Sequence, residues 1–146
     1  GGELLGWVRE TFGVEIGRHQ LVQQMIAKMA LGYETSYLLT MKAAECKNRG
    51  GRNTRETSMM KWHACDVALQ SADDAIQVHG AYGFSNEYPV ERYWRNSRGA
   101  VIYEGTREIH TILQAEYALG YREDKPLSHP QLPAVGFELE DLVTAG

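Results

Sequence analysis

From Leu21 to Ala44 one stripe of residues recurs every three or four positions: Leu21, Val22, Met25, Ile26, Met29, Tyr33, Tyr37, Thr40 and Ala44, with no proline between them. That spacing marks one face of an α-helix, and a proline-free stripe this long predicts a long helix. Asn48, Gly50 and Gly51 supply its end. A helix with a single apolar face has to bury it against other elements, so the stripe constrains the fold more than any other feature.

The rest of the chain supplies more helices. Asn53 can cap a second one, with Glu56 three residues on to reach back in a capping box. Its inner face is expected to run Met60, Ala64, Val67, Ala68, Ser71, Ala75 and Val78, mostly small residues that allow neighbours close. It should stop near Gly80, where "HGAYGFSNEYP" brings glycines and then Pro89. Pro89 suits the first turn of a shorter helix. A last helix is predicted from about Thr106, with Ile109, Ile112, Leu113 and Leu119 near one face and Gly120 near its end. No strand alternation or internal repeat is visible, so no sheet is expected.

The predicted fold is all-α: an antiparallel four-helix bundle over residues 1–122 with an irregular, proline-rich tail over 123–146. That tail, from "REDKPLSHPQLP" onward, holds three of the four prolines and should lie extended on a surface or a partner. The opening "GGELLGWVRE" reads as a cut end, which would leave the first helix truncated.

Charge and residue chemistry narrow the function. A formal charge of −4 gives no reason to expect nucleic acid or an anionic membrane as partner. Arg49, Arg52 and Arg55 flank Gly50 and Gly51 and read as a solvated loop. Cys46 and Cys65 fall in helical stretches without disulfide or metal spacing, which fits a reducing compartment: cytoplasm, or mitochondrial matrix in a eukaryote. His63 and Cys65, two apart, face different sides of a helix. His19, His79, His110 and His129 form no ligand pattern, so no metal site is expected.

Three segments can carry chemistry. Arg9 in "RETFG" can hold a phosphate or simply be solvated. The glycines of "QVHGAYGF" can let a backbone approach a phosphate, or can be a helix end and a turn. Glu104 in "RGAVIYEGTREIH" stands just before a helix start. A carboxylate there is favoured by about 0.3–1 kcal/mol with no catalysis at all. Alternatively, Val101, Ile102 and Tyr103 can partly desolvate it and raise its pKa, which suits a general base. The residues alone leave both readings open.

Four pieces taken together, in order, carry a resemblance: "RETFG" followed by "HQLVQQMIAKMA", then "QVHGAYGFSNEYPVERYWRNSR", then "IYEGTREI". From about Arg9 to Arg122 the chain resembles the C-terminal domain of the acyl-CoA dehydrogenase family. The resemblance implies a four-helix bundle preceded by a helical domain and a β domain. It also implies FAD bound between domains and across a subunit interface, and assembly as a homodimer or homotetramer. Residue by residue, Arg9 matches an arginine that contacts the cofactor pyrophosphate from a neighbouring subunit. Thr11 and Phe12 match positions beside that cofactor, and His19 and Gln20 match a cofactor-contacting pair. Gln77, Val78, His79, Gly80 and Ala81 match a Q-x-x-G-G segment at the adenine and pyrophosphate end, with Ala81 replacing the second glycine. Thr106 and Glu108 match positions touching the cofactor after the catalytic loop.

Glu104 matches the catalytic base of many members. It implies α-proton abstraction from an acyl-CoA thioester, β-hydride transfer to flavin, and a trans-2-enoyl-CoA product. Gly105 would leave room for the substrate thioester, and an electron-transfer flavoprotein would take the electrons. The same resemblance covers acyl-CoA oxidases, and the isolated piece can be an inactive oligomerisation bundle. Glu116 stands where many members have arginine. His110 stands where glutamine is common, in a T-x-x-I-H arrangement similar to glutaryl-CoA dehydrogenases. On this expectation Glu104 lies near the clefts lined by Gln77 and Gly80. A carboxylate on the outer surface far from them would make that expectation fail.

Overall fold

The computed structural model describes residues 9–124. The expected cut end, through residue 8, and the expected tail from residue 125 lie outside the described residues. The described chain opens with a hairpin, β1 (Glu10–Thr11) and β2 (Val14–Glu15), followed by a 3-10 turn at Ile16–Arg18. Five helices follow: α1 (Gln20–Asn48), α2 (Thr54–His79), the single-turn α3 (Ala81–Phe84), α4 (Val90–Ala100) and α5 (Arg107–Ala118). Helices α1, α2, α4 and α5 make up the expected bundle. α2 is its hub, packing against α1, α4, α5 and α3. No helix among the described residues is long and apolar enough to cross a membrane.

The boundaries follow local chemistry. α1 ends at Asn48 with Gly50 at φ 75°, α2 ends at His79 before Gly80, and Pro89 precedes α4. Four expectations are corrected. The hairpin is a short sheet that no alternation announced, because two residues per strand are too few to show a period. α3 replaces the plain turn expected after Gly80. Asn53 makes no side-chain cap. Its amide donates instead to Ala43 O at 3.1 Å, tying the end of α1 to the start of α2. Arg52 and Arg55 are not simply a solvated loop: Arg52 pairs with Asp124, and Arg55 lies in α2 with its carbonyl accepting from Gln114 Nε2 at 2.9 Å.

The inward faces also shift. α1 turns Gly32 and Ala43 inward and leaves Leu21, Tyr33 and Tyr37 exposed. The pivot is Gly32, where an added Cβ would lie 2.6 Å from Val67 Cγ1, so the two long helices make close contact there. α2 is half-buried from Met59 to Val67 and leaves Ala68 exposed, because helices pack on it from several sides. On α5, Ile109 and Ile112 face outward, while His110, Leu113 and Tyr117 are half-buried. The described core is thin. Its buried apolar residues are Ile16, Ala43, Ala72, Val78, Val90 and Val101, and Leu31, Leu38 and Met41 on α1 remain exposed.

Candidate functional site

Two clusters gather the expected site residues, one at each end of α2. The first is at the hairpin. Phe12 and Gly13 form its two-residue loop, both with positive φ, 54° and 77°, as such loops require. Phe12 is 99% exposed at that tip. The Thr11 hydroxyl bonds His19 Nε2 at 3.0 Å, and the His19 ring meets Phe12 edge-on at 6.3 Å. Gln20 opens α1 beside them, with its side chain exposed.

Arg9 crosses from this hairpin to the end of α2 and donates from Nη1 to His79 O at 2.8 Å. Gly80 adopts φ 62°, and a Cβ there would lie 3.2 Å from Arg9 Nη1. The missing side chain is what lets the guanidinium sit against the backbone. Gln77, Gly80 and Ala81 are exposed beside it. Val78 and His79, also expected beside a cofactor, have buried side chains and can meet a ligand there only through their backbone. His79 Nδ1 donates to Ala75 O at 2.7 Å, and its ring packs against Tyr88. Only the His79 carbonyl reaches the cluster.

The second cluster is the segment 101–106 between α4 and α5. Ile102 and Tyr103 N–H groups both donate to Gly99 O, at 2.9 and 3.1 Å, and Arg107 N–H donates to Val101 O at 3.1 Å. Two consecutive residues then have positive φ, Glu104 at 55° and Gly105 at 98°. Glycine takes this conformation freely, whereas a glutamate held there costs about 1–3 kcal/mol. Among the described residues, no backbone oxygen accepts the Glu104 N–H.

What holds the segment comes from α2, and the sequence did not single it out. Lys61 Nζ donates to three carbonyls, Ala100 O at 2.8 Å, Tyr103 O at 2.9 Å and Gly105 O at 2.8 Å. Ser58, buried one turn earlier, bonds His110 Nδ1 at 3.0 Å. A Cβ on Gly105 would meet His110 Nε2 at 2.7 Å. Asp66, one turn later, accepts from Arg107 Nε at 2.7 Å and from Trp62 Nε1 at 3.0 Å. Ser58, Lys61, Trp62 and Asp66 recur at helical spacing and form one polar stripe. The only hint of it in the sequence is a lysine inside "SMMKWHA".

Thr106 caps α5, its hydroxyl accepting from Ile109 N–H at 3.4 Å. Glu108, in the first turn, is exposed, and its pKa lies below the ordinary 4.5. Its own backbone N–H is the main cause, then the Thr106 hydroxyl, with Arg107 and Arg98 adding. A lowered carboxylate contributes stability above about pH 4.5, and loses it as pH falls through the lower folded value. Thr106→Val is therefore expected to lower stability by about 1 kcal/mol. It should also raise the Glu108 titration midpoint, read by NMR of the side-chain carboxyl. Farther along α5, Glu116 pairs with Arg122 at 3.1 Å, so the charge at that position has a partner of opposite sign.

Two expectations about Glu104 are overturned. Of its apolar neighbours only Val101 is buried; Ile102 and Tyr103 are 55% and 56% exposed, and Glu104 is itself exposed, so they do not enclose the carboxylate. Nor is it near Gln77 and Gly80. Its loop is tied to Lys61, nineteen residues before Gly80, a separation of about 25–30 Å along α2. The two clusters cannot form one compact cleft within a single chain.

Residues 5–119 match the family model for the acyl-CoA dehydrogenase C-terminal domain. The chain is 41% identical over 111 residues to cyclohexane-1-carbonyl-CoA dehydrogenase of Geobacter metallireducens, covering 76% of this chain and 29% of that protein. A glutaryl-CoA dehydrogenase solved with glutaryl-CoA superposes with a TM-score of 0.81 at 34% identity, over 90% of this chain and 33% of the other. The FAD complex of PigA superposes with a TM-score of 0.79 at 28% identity, over 84% and 32%. The chain thus spans about a third of the length of these relatives. The chain belongs to the acyl-CoA dehydrogenase family, whose C-terminal domain it matches over most of its length.

Proposed function

We propose that this chain is the C-terminal part of an FAD-dependent acyl-CoA dehydrogenase that converts an acyl-CoA thioester to its trans-2-enoyl-CoA. The division into a bundle domain over residues 1–122 and a tail over 123–146 belongs to the same proposal, with residues 1–8 and 125–146 outside the described residues. The observation that carries the proposal is the left-handed pair Glu104–Gly105. It places a carboxylate and an N–H with no backbone acceptor among the described residues on one residue, in a loop held by three hydrogen bonds from Lys61. Glu104 takes the α-proton of the thioester. Its N–H donates to the thioester carbonyl as negative charge develops there, which lowers the barrier to removing that proton. Gly105, the residue matched to the thioester approach, has the His110 ring packed where its Cβ would lie.

The residues present fit FAD. Arg9 beside the bare backbone of Gly80 suits a pyrophosphate, and exposed Gln77 and Ala81 border the same place. Thr11, Phe12, His19 and Gln20 would hold the cofactor near the hairpin, and Thr106 and Glu108 would hold it near the Glu104 loop. When bound, FAD supplies a hydride acceptor, which no side chain offers. A site built within one chain fails on the distance between the clusters; in its place the Arg9 end serves a neighbouring subunit's cofactor, the role that the resemblance gives Arg9, and the Glu104 end serves its own. The exposed apolar side chains Leu31, Leu38 and Met41 suit a homodimer or homotetramer and the preceding helical and β domains. An electron-transfer flavoprotein then receives the electrons. The unpaired Cys46 and Cys65 suit a reducing compartment, cytoplasm or mitochondrial matrix.

The test is anaerobic. Purified full-length protein should carry bound flavin, and butyryl-CoA, glutaryl-CoA or another acyl-CoA should bleach its visible absorbance. The 146-residue chain alone, lacking the rest of the pocket, should lose added FAD on desalting. A full-length flavoprotein that no acyl-CoA bleaches overturns the proposal. Stoichiometric peroxide formation in air would make the enzyme an oxidase.

A further inference from the structure

Lys61 is unexplained by the site described so far: it is part of neither expected binding segment, yet its ammonium makes three hydrogen bonds to one six-residue stretch. We propose that Lys61 is a positioning residue, which clamps Ala100, Tyr103 and Gly105 so that Glu104 is held in its left-handed conformation with carboxylate and N–H correctly aimed. This rests on the assignment of Glu104 as the base.

The geometry carries it as follows. An ammonium has three N–H donors and no acceptor. All three are matched here by carbonyl oxygens at 2.8, 2.9 and 2.8 Å, so no further acceptor is needed to fill them. Ala100 O is one of the last carbonyls of α4, which have no partner within their own helix, and a cation at a helix C-terminus is also favoured by the dipole. Tyr103 O and Gly105 O are the carbonyls on either side of Glu104. Fixing Tyr103 O holds the peptide plane just before Glu104, and fixing Gly105 O holds the plane just after Gly105, so the left-handed pair Glu104–Gly105 is pinned at both ends. A left-handed glutamate needs such outside restraint, because its own steric preference is for negative φ. Lys61 reaches these atoms across 39, 42 and 44 positions of sequence, so the restraint is tertiary.

The Lys61 side chain is half-buried and touches neither the Glu104 carboxylate nor any atom assigned to substrate, so it acts through the backbone. Ser58 and His110 lie on one side of the clamp and the Asp66–Arg107 pair on the other. These neighbours keep α5 docked on α2 when the ammonium is removed, so a Lys61 variant should loosen the loop without undoing the bundle.

The test uses the full-length enzyme with Lys61→Met, which keeps an unbranched stem, and Lys61→Arg, which keeps charge and donors. Hydrogen–deuterium exchange is followed over residues 99–107, where Ile102, Tyr103 and Arg107 N–H groups are bonded. Lys61→Met should speed exchange there by about tenfold or more and leave residues 72–80, at the other end of α2, essentially unchanged. Because a displacement of order 1 Å costs roughly 10²-fold in rate, kcat should fall by about 10–100-fold with KM little altered. Lys61→Arg should recover part of both losses.

If Lys61→Met leaves exchange over 99–107 and kcat at wild-type values, the clamp is refuted. Exchange that rises equally over 72–80 refutes it too, since the residue then supports the whole bundle. The base assignment is read separately from Glu104→Gln. Should that change leave turnover intact while Lys61→Met still loosens 99–107, the clamp stands and the base has to be sought elsewhere.

Discussion

Glu104→Gln in the full-length enzyme is expected to lower kcat by about 10²–10⁴-fold, the range for losing a positioned general base. Glutamine matches glutamate in size and keeps the same backbone N–H, so the loop, its clamp and the donor to the thioester carbonyl all remain. Only the ability to take a proton is removed. The lost interaction exists in the transition state and not in the bound ground state, so kcat and kcat/KM should fall together while KM holds. Flavin content should match the wild type. Unchanged turnover with the best acyl-CoA would remove Glu104 from the chemistry and with it the central assignment of the site.

The largest effect on stability is expected at Gly83. This residue is buried in the single turn of α3, where its N–H donates to Gly80 O at 2.9 Å. A Cβ there would lie 2.9 Å from Ile76 Cα and closer still to the Ile76 carbonyl oxygen. Those are backbone atoms of α2, in a part of the helix bonded on both sides, and they cannot rotate away as a side chain would. Gly83→Ala should therefore destabilise the chain by roughly 3 kcal/mol, the upper part of the usual overpacking range. α3 follows directly on Gly80, so the strain should also displace the Arg9–His79 contact. Urea unfolding measures the first effect and FAD affinity of the full-length enzyme the second. A melting curve that superposes on wild type would mean that α3 does not pack on Ile76 as described.

Gly32 gives the opposite lesson about reading glycines. It lies in the middle of a helical stripe, where sequence treats glycine as a mild cost, and an inner face through Tyr33 and Tyr37 fits the spacing equally well. The structure turns that face by one position because Val67 occupies the space a side chain at Gly32 would need. The choice between Gly32 and Tyr33 depends on a residue thirty-five positions away, which no local window contains. Asn53 is similar. Its capping signal was read correctly as a helix start, but the amide found a better partner in Ala43 O across the loop.

By itself the sequence determined where the four longer helices begin and where α1, α2 and α5 end, because periodicity, glycine and proline act within one or two turns. It also determined which residues to examine, since the ordered motifs carry Arg9, Gly80 and Glu104. Tertiary structure alone decided which helical faces are buried, that a hairpin precedes α1, and that Val78 and His79 turn inward. It decided as well that the Arg9 and Glu104 clusters sit at opposite ends of α2 and that Lys61 holds the loop between α4 and α5. Those outcomes depend on which atoms meet after the chain has folded back on itself, and contacts spanning forty or more residues leave no local pattern.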